Sequence, residues 1–121
     1  MVWQHYSKLL VWQKAMELTD EVYALTRILP KEERYGLSNQ MRRAVVSIPS
    51  NIAEGQGRQS AKDVKQFLCV ARGSTFETET QLLICTRLGF FTYDQADRAL
   101  SLCSEIARIL SSLILKYSNL S

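Results

Sequence analysis

Apolar residues recur every three or four positions along nearly the whole of this 121-residue chain, and only two prolines and five glycines interrupt them. Such a period marks helices with one buried face, and the scarcity of breakers predicts a few long helices. Four are expected. The first spans about Lys8 to Leu29, with Trp12, Ala15, Met16, Thr19, Val22, Tyr23 and Thr26 on its inner side. It stops at Pro30, because the residue before a proline disfavours helix. The second spans about Leu37 to Glu54, ended by Gly55 and Gly57, and contains Pro49. A proline inside a helix removes one backbone donor and predicts a kink, or a break into two pieces, near Val45 to Ile48. The third opens on Ser60 with Asp63, a variant of the capping box, and runs to about Leu88 before Gly89. Thr92 with Gln95 repeats the capping pattern, and a fourth helix follows to about Tyr117 with Ala96, Ala99, Leu100, Cys103, Ala107, Leu110 and Ile114 at helical spacing. Residues Ser118 to Ser121 should fray. Short connections favour antiparallel neighbours, so the expected fold is all-α, a single domain over residues 1–121 built as an up-down four-helix bundle.

At about 100° per residue, the second helix sorts into three stripes. Leu37, Met41, Ala44, Val45, Ile48 and Ile52 share one arc and should face the core. Gln40, Arg43, Ser47, Ser50, Asn51 and Glu54 occupy another, a row of hydrogen-bonding groups stacked turn upon turn. The remaining side holds Arg42, Val46, Pro49 and Ala53. On the third helix, Val64, Phe67, Leu68, Ala71, Thr75, Thr78, Leu82 and Cys85 form an inner stripe, while Cys69, Phe76, Leu83 and Ile84 project outside it. Large apolar patches rarely stay exposed, so Val46, Pro49, Cys69, Phe76, Leu83 and Ile84 are candidates for a subunit interface. A broad stripe serving two neighbouring helices is the plainer alternative.

Charge adds one feature. Between Arg34 and Arg72 lie seven Arg and Lys residues against two acids, Glu54 and Asp63, whereas each flank has five acids against four bases. The whole excess of the net +3 therefore sits in the middle third. A basic surface concentrates polyanions, and Arg34, Arg42, Arg58, Lys62 and Lys65 are the candidate RNA contacts. A solvated helix face without a partner is the competing reading. Only Tyr35 lies near the block as a free aromatic, so backbone contacts are expected rather than stacking on bases. The apolar content of 46% suits one buried core, and no run approaches the roughly 18 apolar residues of a membrane span. Met1 to Lys8 lacks the pattern of a secretory signal, and a cytoplasmic protein is expected. Cys69, Cys85 and Cys103 are odd in number and fall at helical apolar positions, which predicts reduced thiols.

The block Arg42-Arg43-Ala44-Val45-Val46-Ser47-Ile48-Pro49-Ser50-Asn51-Ile52-Ala53-Glu54-Gly55, followed by Gly57-Arg58, resembles the signature of the four-helix-bundle proteins encoded in intervening sequences of bacterial large-subunit ribosomal RNA. Leu10 to Leu18, Phe67-Leu68, Ala71 to Ser74 and Glu77 to Leu82 continue the resemblance. Gln56 departs from it, standing where many relatives carry an aromatic residue. The resemblance implies a homopentamer without established catalytic activity. It also implies kinship with the accessory proteins of diversity-generating retroelements, which engage RNA and a reverse transcriptase.

The same block invites two local readings. Arg43, Ser47, Asn51, Glu54 and Arg72 could form a structural polar network, since buried charges persist chiefly when paired. Alternatively, Arg43, Arg58 and Arg72 could line a small anion site, because guanidinium groups bind phosphate through two parallel hydrogen bonds. Catalysis has little to work with: His5 is the only histidine, Glu54, Glu77 and Glu79 are the available acids, and there is no phosphate loop or metal-ligand spacing. No cofactor is expected. An adaptor that binds another protein through its apolar flanks, without touching RNA, is the alternative function.

Overall fold

Four long helices account for the periodicity in the computed structural model, which describes residues 5–120: α1 (Leu10–Thr26), α2 (Leu37–Gln56), α3 (Ala61–Arg87) and α4 (Tyr93–Leu120). Expectations for Met1 to Gln4 and for Ser121 lie outside the described residues. Single 3-10 turns occupy Tyr6–Lys8 and Lys31–Glu33. α1 packs on α2 and α4, and α3 packs on α2 and α4, with no diagonal pairing among the described residues. The pairings run antiparallel. Met41 meets Cys85 near one end of α2, Ser47 bonds to Ser74 midway, and Gly55 abuts Phe67 near the other end. This is an up-down four-helix bundle.

The helix ends follow local chemistry. Ser60 Oγ accepts from the Asp63 amide (3.1 Å), which caps α3. Thr92 and Gln95 cap α4 reciprocally: Gln95 N–H donates to Thr92 Oγ1 (3.1 Å) and Thr92 N–H to Gln95 Oε1 (2.8 Å). α3 closes with a Schellman motif, Phe90 N–H to Cys85 O and Gly89 N–H to Thr86 O, which requires the φ of +78° that Gly89 supplies. α1 ends three residues earlier than expected. Ahead of Pro30 the chain tightens into i to i+3 bonds, Ile28 to Leu25 and Leu29 to Thr26, leaving Leu29 buried beyond the helix. α4 is longer than expected, continuing past Tyr117 to Leu120.

Pro49 does not break α2. The helix runs uninterrupted from Leu37 to Gln56, so the alternative of two shorter pieces is excluded. The apolar row of Met41, Val45, Ile48 and Ile52 is wholly buried on both sides of the proline, and that burial, about 1.5–3 kcal/mol per large side chain, outweighs one lost hydrogen bond. Gly55 lies within the last turn of this helix rather than after it.

The inner stripes of α2 and α3 are as expected, with Leu37 and Phe67 only partly buried. Thr75 and Thr78 are tolerated inside because their hydroxyls donate back to Ala71 O and Ser74 O. On α1 the expected face is rotated by about one position. Met16 is exposed and Trp12, Thr19 and Tyr23 are only partly buried, while Val11, Leu18 and Leu25 carry the core with Ala15 and Val22. Trp12 instead sits at the edge under the Tyr6 ring, 5.4 Å between centroids. On α4, Leu102 and Ile106 are fully buried beside the expected residues, and Leu100 and Ala107 lie at the margin.

Candidate functional site

The basic block that is continuous in sequence is divided in space. α2 is 20 residues long, about 30 Å at the standard rise, and the candidate cations lie beyond or near its two ends. Arg34 and Arg42 belong to the α1–α2 end. Arg58, Lys62 and Lys65 belong to the α2–α3 end, so one unbroken patch does not exist.

At the α1–α2 end, Arg27 and Lys31 join Arg34 and Arg42 around a cavity of about 450 Å³ that is also lined by Ser38, Asn39, Leu29 and Pro30. No carboxylate lines it. Arg42 is half-buried and held in place: its Nε donates to Thr26 Oγ1 (2.9 Å), and its guanidinium carbon lies 4.5 Å from the centre of the Tyr23 ring. The Thr26 hydroxyl hydrogen is spent on Tyr23 O (2.9 Å), which leaves an oxygen lone pair for Arg42. At the start of α2 the Leu37 N–H donates to Glu33 Oε2 at 3.3 Å.

At the α2–α3 end, the Arg58 guanidinium stacks over Phe67 (4.6 Å to the ring centre) and lies 3.9 Å from Glu54. Both partners of that ion pair are largely exposed, where such pairs contribute little. Lys62 and Lys65 occupy the first turns of α3, and neither has an ion pair among the described residues. The same holds for Arg34.

The five residues of the expected polar network are not brought together. Asn51 Nδ2 donates to Ser47 O (2.7 Å) and Oγ (3.0 Å), and Ser47 Oγ meets Ser74 Oγ across the α2–α3 seam (2.9 Å). Arg43 is exposed, Glu54 turns to Arg58, and Arg72 reaches Ser111 on α4 (3.3 Å). Hydroxyl and amide groups, not charges, form the bridge. Nor do Arg43, Arg58 and Arg72 converge within the subunit. Arg43 and Arg58 are about 20 Å apart along the helix axis, and Arg72 faces α4 rather than α2.

The outward apolar residues separate likewise. Val46, Phe76, Leu83 and Ile84 are exposed, Phe76 by 50%, while Pro49 is buried within the bundle and Cys69 packs partly buried against the core. Val70 on α3 and Leu88 just past its end extend the exposed row. In its midst Gly73 has no atom beyond its own stretch of helix backbone within 4 Å of where a Cβ would stand. A glycine in a helix interior is unfavourable by about 0.8–1 kcal/mol relative to alanine, and the subunit itself gives no packing reason for it.

All three cysteines are free. Burial, with a smaller contribution from Glu33, pushes the Cys85 thiol up to about 11, and burial with Glu79 pushes Cys103 up to about 12. Both are therefore protonated core groups rather than nucleophiles. Elsewhere, Lys14 holds the Glu105 carboxyl below its usual range by a hydrogen bond, and the Arg98–Glu17 pair ties α4 to α1 beside it. Among the described residues no group of three His, Cys, Asp or Glu side chains could hold a metal ion, and no helix is long and apolar enough to cross a membrane.

Arg27 and Lys31 were missed as site residues because Glu32 and Glu33 beside them make their segment neutral on average. The available signal was spacing: Arg27, Lys31 and Arg34 follow one another at intervals of four and three through the turn.

A family model described as 23S rRNA-intervening sequence protein matches residues 7–112. A solved structure from Bacteroides thetaiotaomicron, described as a protein with unknown function from the S23 ribosomal protein family, superposes with a TM-score of 0.80 at 28% identity, covering 87% of this chain and 98% of that one. No curated protein matches the chain.

Proposed function

The chain belongs to the 23S rRNA-intervening sequence protein family, and from that premise we propose that it is a non-enzymatic bundle that assembles with copies of itself and binds the RNA backbone through its basic ends. The observation that carries this reading is the set of cations flanking α2, of which Arg34, Lys62 and Lys65 have no acid partner among the described residues. Arg34 and Lys62 are exposed and Lys65 partly so, and cations without an acid partner are available to displace counterions from phosphates. Arg58 joins Lys62 and Lys65 at one end, and Arg42 joins Arg34 at the other.

Assembly is supported by the exposed row on α3 and by Val46 on α2. Docking that row against another copy removes apolar surface from water and gives Gly73 a reason, since a residue without a side chain leaves room for a second backbone to approach closely. Five copies is the number implied by the family resemblance. Repetition around an axis turns a modest charge of +3 per chain into a ring of cations.

Salt titration with single-stranded RNA is the test. At a slope of about −0.7 per phosphate, one contact from each of five subunits weakens binding by about a hundredfold between 50 and 200 mM salt. Charge reversal of Arg58, Lys62 and Lys65 together should weaken retention and lower the salt slope while the oligomer persists in sedimentation. Undiminished retention by the triple variant at low salt refutes the assignment of that end. Binding of a protein partner through apolar contacts would instead respond little to salt, and would point to an adaptor.

A further inference from the structure

The geometry points to a discrete phosphate-binding pocket at the α1–α2 turn, built on Arg42 and completed by Arg27, Lys31 and Arg34, which takes the terminal phosphate of a nucleotide chain. It rests on the RNA reading only for the source of that phosphate. The pocket itself stands on four cations, no lining carboxylate and a volume of about 450 Å³, within the range of about 300–1,000 Å³ usual for small-molecule sites.

Arg42 sets this cavity apart from an ordinary basic surface. A free arginine loses much rotamer freedom on binding an anion, but this one has already lost it in the folded chain. Nε is bonded to Thr26 and the guanidinium carbon lies over the Tyr23 ring, so two contacts from α1 hold the fork in place. With Nε committed, the terminal nitrogens remain, and neither has a partner among the described residues. Two parallel N–H donors match two oxygens of a phosphate. Arg27, Lys31 and Arg34 are exposed side chains on the rim, able to close over the remaining charge. Ser38 and Asn39 add neutral hydrogen-bonding groups.

A terminal phosphate suits the site better than an internal one. It carries up to two negative charges at neutral pH, against one for a diester, and four cations without a lining acid favour the higher charge.

The test uses the full chain with three probes: inorganic phosphate, a short single-stranded RNA with a 5′-phosphate, and the same RNA ending in a 5′-hydroxyl. The readouts are binding calorimetry and the NMR resonance of the Arg42 side chain. Phosphate is expected to shift that resonance, and the phosphorylated RNA to bind at least about tenfold more tightly than the hydroxyl form. Arg42→Gln should remove the preference. Thr26→Val, which keeps the shape but loses the oxygen that orients Arg42, should reduce it, and Arg108→Gln on α4 should leave it intact. Comparison of the helical circular dichroism of each variant identifies any that fails to fold; should Arg42→Gln do so, Arg34→Gln with Lys31→Gln replaces it. Equal affinity for the two RNAs, or a preference that survives in Arg42→Gln, overturns the proposal. Tight, salt-sensitive binding of both RNAs alike sinks the pocket and leaves the backbone reading standing. A phosphate-induced shift without binding of either RNA sustains the pocket as a site for a free phosphate and refutes the RNA reading.

Discussion

Two chemically identical substitutions, Gly73→Ala and Gly55→Ala, should change stability in opposite directions. At Gly73 a new methyl group meets nothing beyond its own stretch of helix backbone within 4 Å, so only the backbone contribution remains. Alanine in the interior of α3 should stabilise the subunit by about 0.8–1 kcal/mol. At Gly55 the same methyl would lie 3.0 Å from Phe67 Cβ and 3.6 Å from Val64 O. Ordinary carbon contacts fall at about 3.5–4.0 Å, so α2 and α3 would have to separate by roughly half an ångström where both backbones are fixed. Overpacking of this kind costs about 1–3 kcal/mol, and the helical gain is small in the last turn, so a net loss of about 1–2 kcal/mol is expected. Urea unfolding followed by circular dichroism, at a protein concentration low enough to dissociate any assembly, reads both numbers from the midpoints at constant slope. A shift in the same direction for both would refute the steric reasoning. At higher concentration the Gly73 variant carries a second result. If copies dock through α3 at that point, alanine should weaken assembly in sedimentation even as it strengthens the subunit.

Other expectations follow from single contacts. Ser60→Ala should lower stability by about 1 kcal/mol through loss of the bond to the Asp63 amide, measured by the same urea titration. Phe76→Ser with Leu83→Ser should dissociate the proposed oligomer while leaving the urea midpoint of the subunit nearly unchanged, because both side chains are already exposed. Iodoacetamide at pH 8 should modify Cys69 before Cys85 or Cys103, and mass spectrometry of the native protein would show the order. The raised thiols also set a pH dependence. Folding keeps protons on Cys85 and Cys103 that the unfolded chain releases near 9, so their contribution is complete below about pH 9 and is lost as pH rises towards 11 and 12. A variant with alanine at both positions should show a shallower decline, and an unchanged slope would contradict the assignment.

Helix number, order and most of the ends were legible in the chain because each is a short-range property. Ser60, Thr92 with Gln95, and Gly89 act within one turn of themselves, and the inner stripes of α2 and α3 follow from period alone. Short-range logic failed where packing decides. Pro49 reads as a kink or a break, yet the buried rows on either side keep α2 in one piece, and Trp12, Met16 and Tyr23 read as core on α1 although Val11, Leu18 and Leu25 fill it. Which face of α1 turns inward depends on what α2 and α4 offer it, and that information lies in other helices.

Charge shows the same division. The sequence by itself determined that the middle third is basic and that α3 carries apolar residues on two faces. Only the tertiary structure decided that the basic block splits between opposite ends of α2, because a helix of this length carries its two ends apart by its own rise. The antiparallel turn then brings Arg27 and Lys31 of one segment beside Arg34 and Arg42 of the next. Composition counts charges along the chain, whereas a cavity collects those whose backbones reverse direction around it.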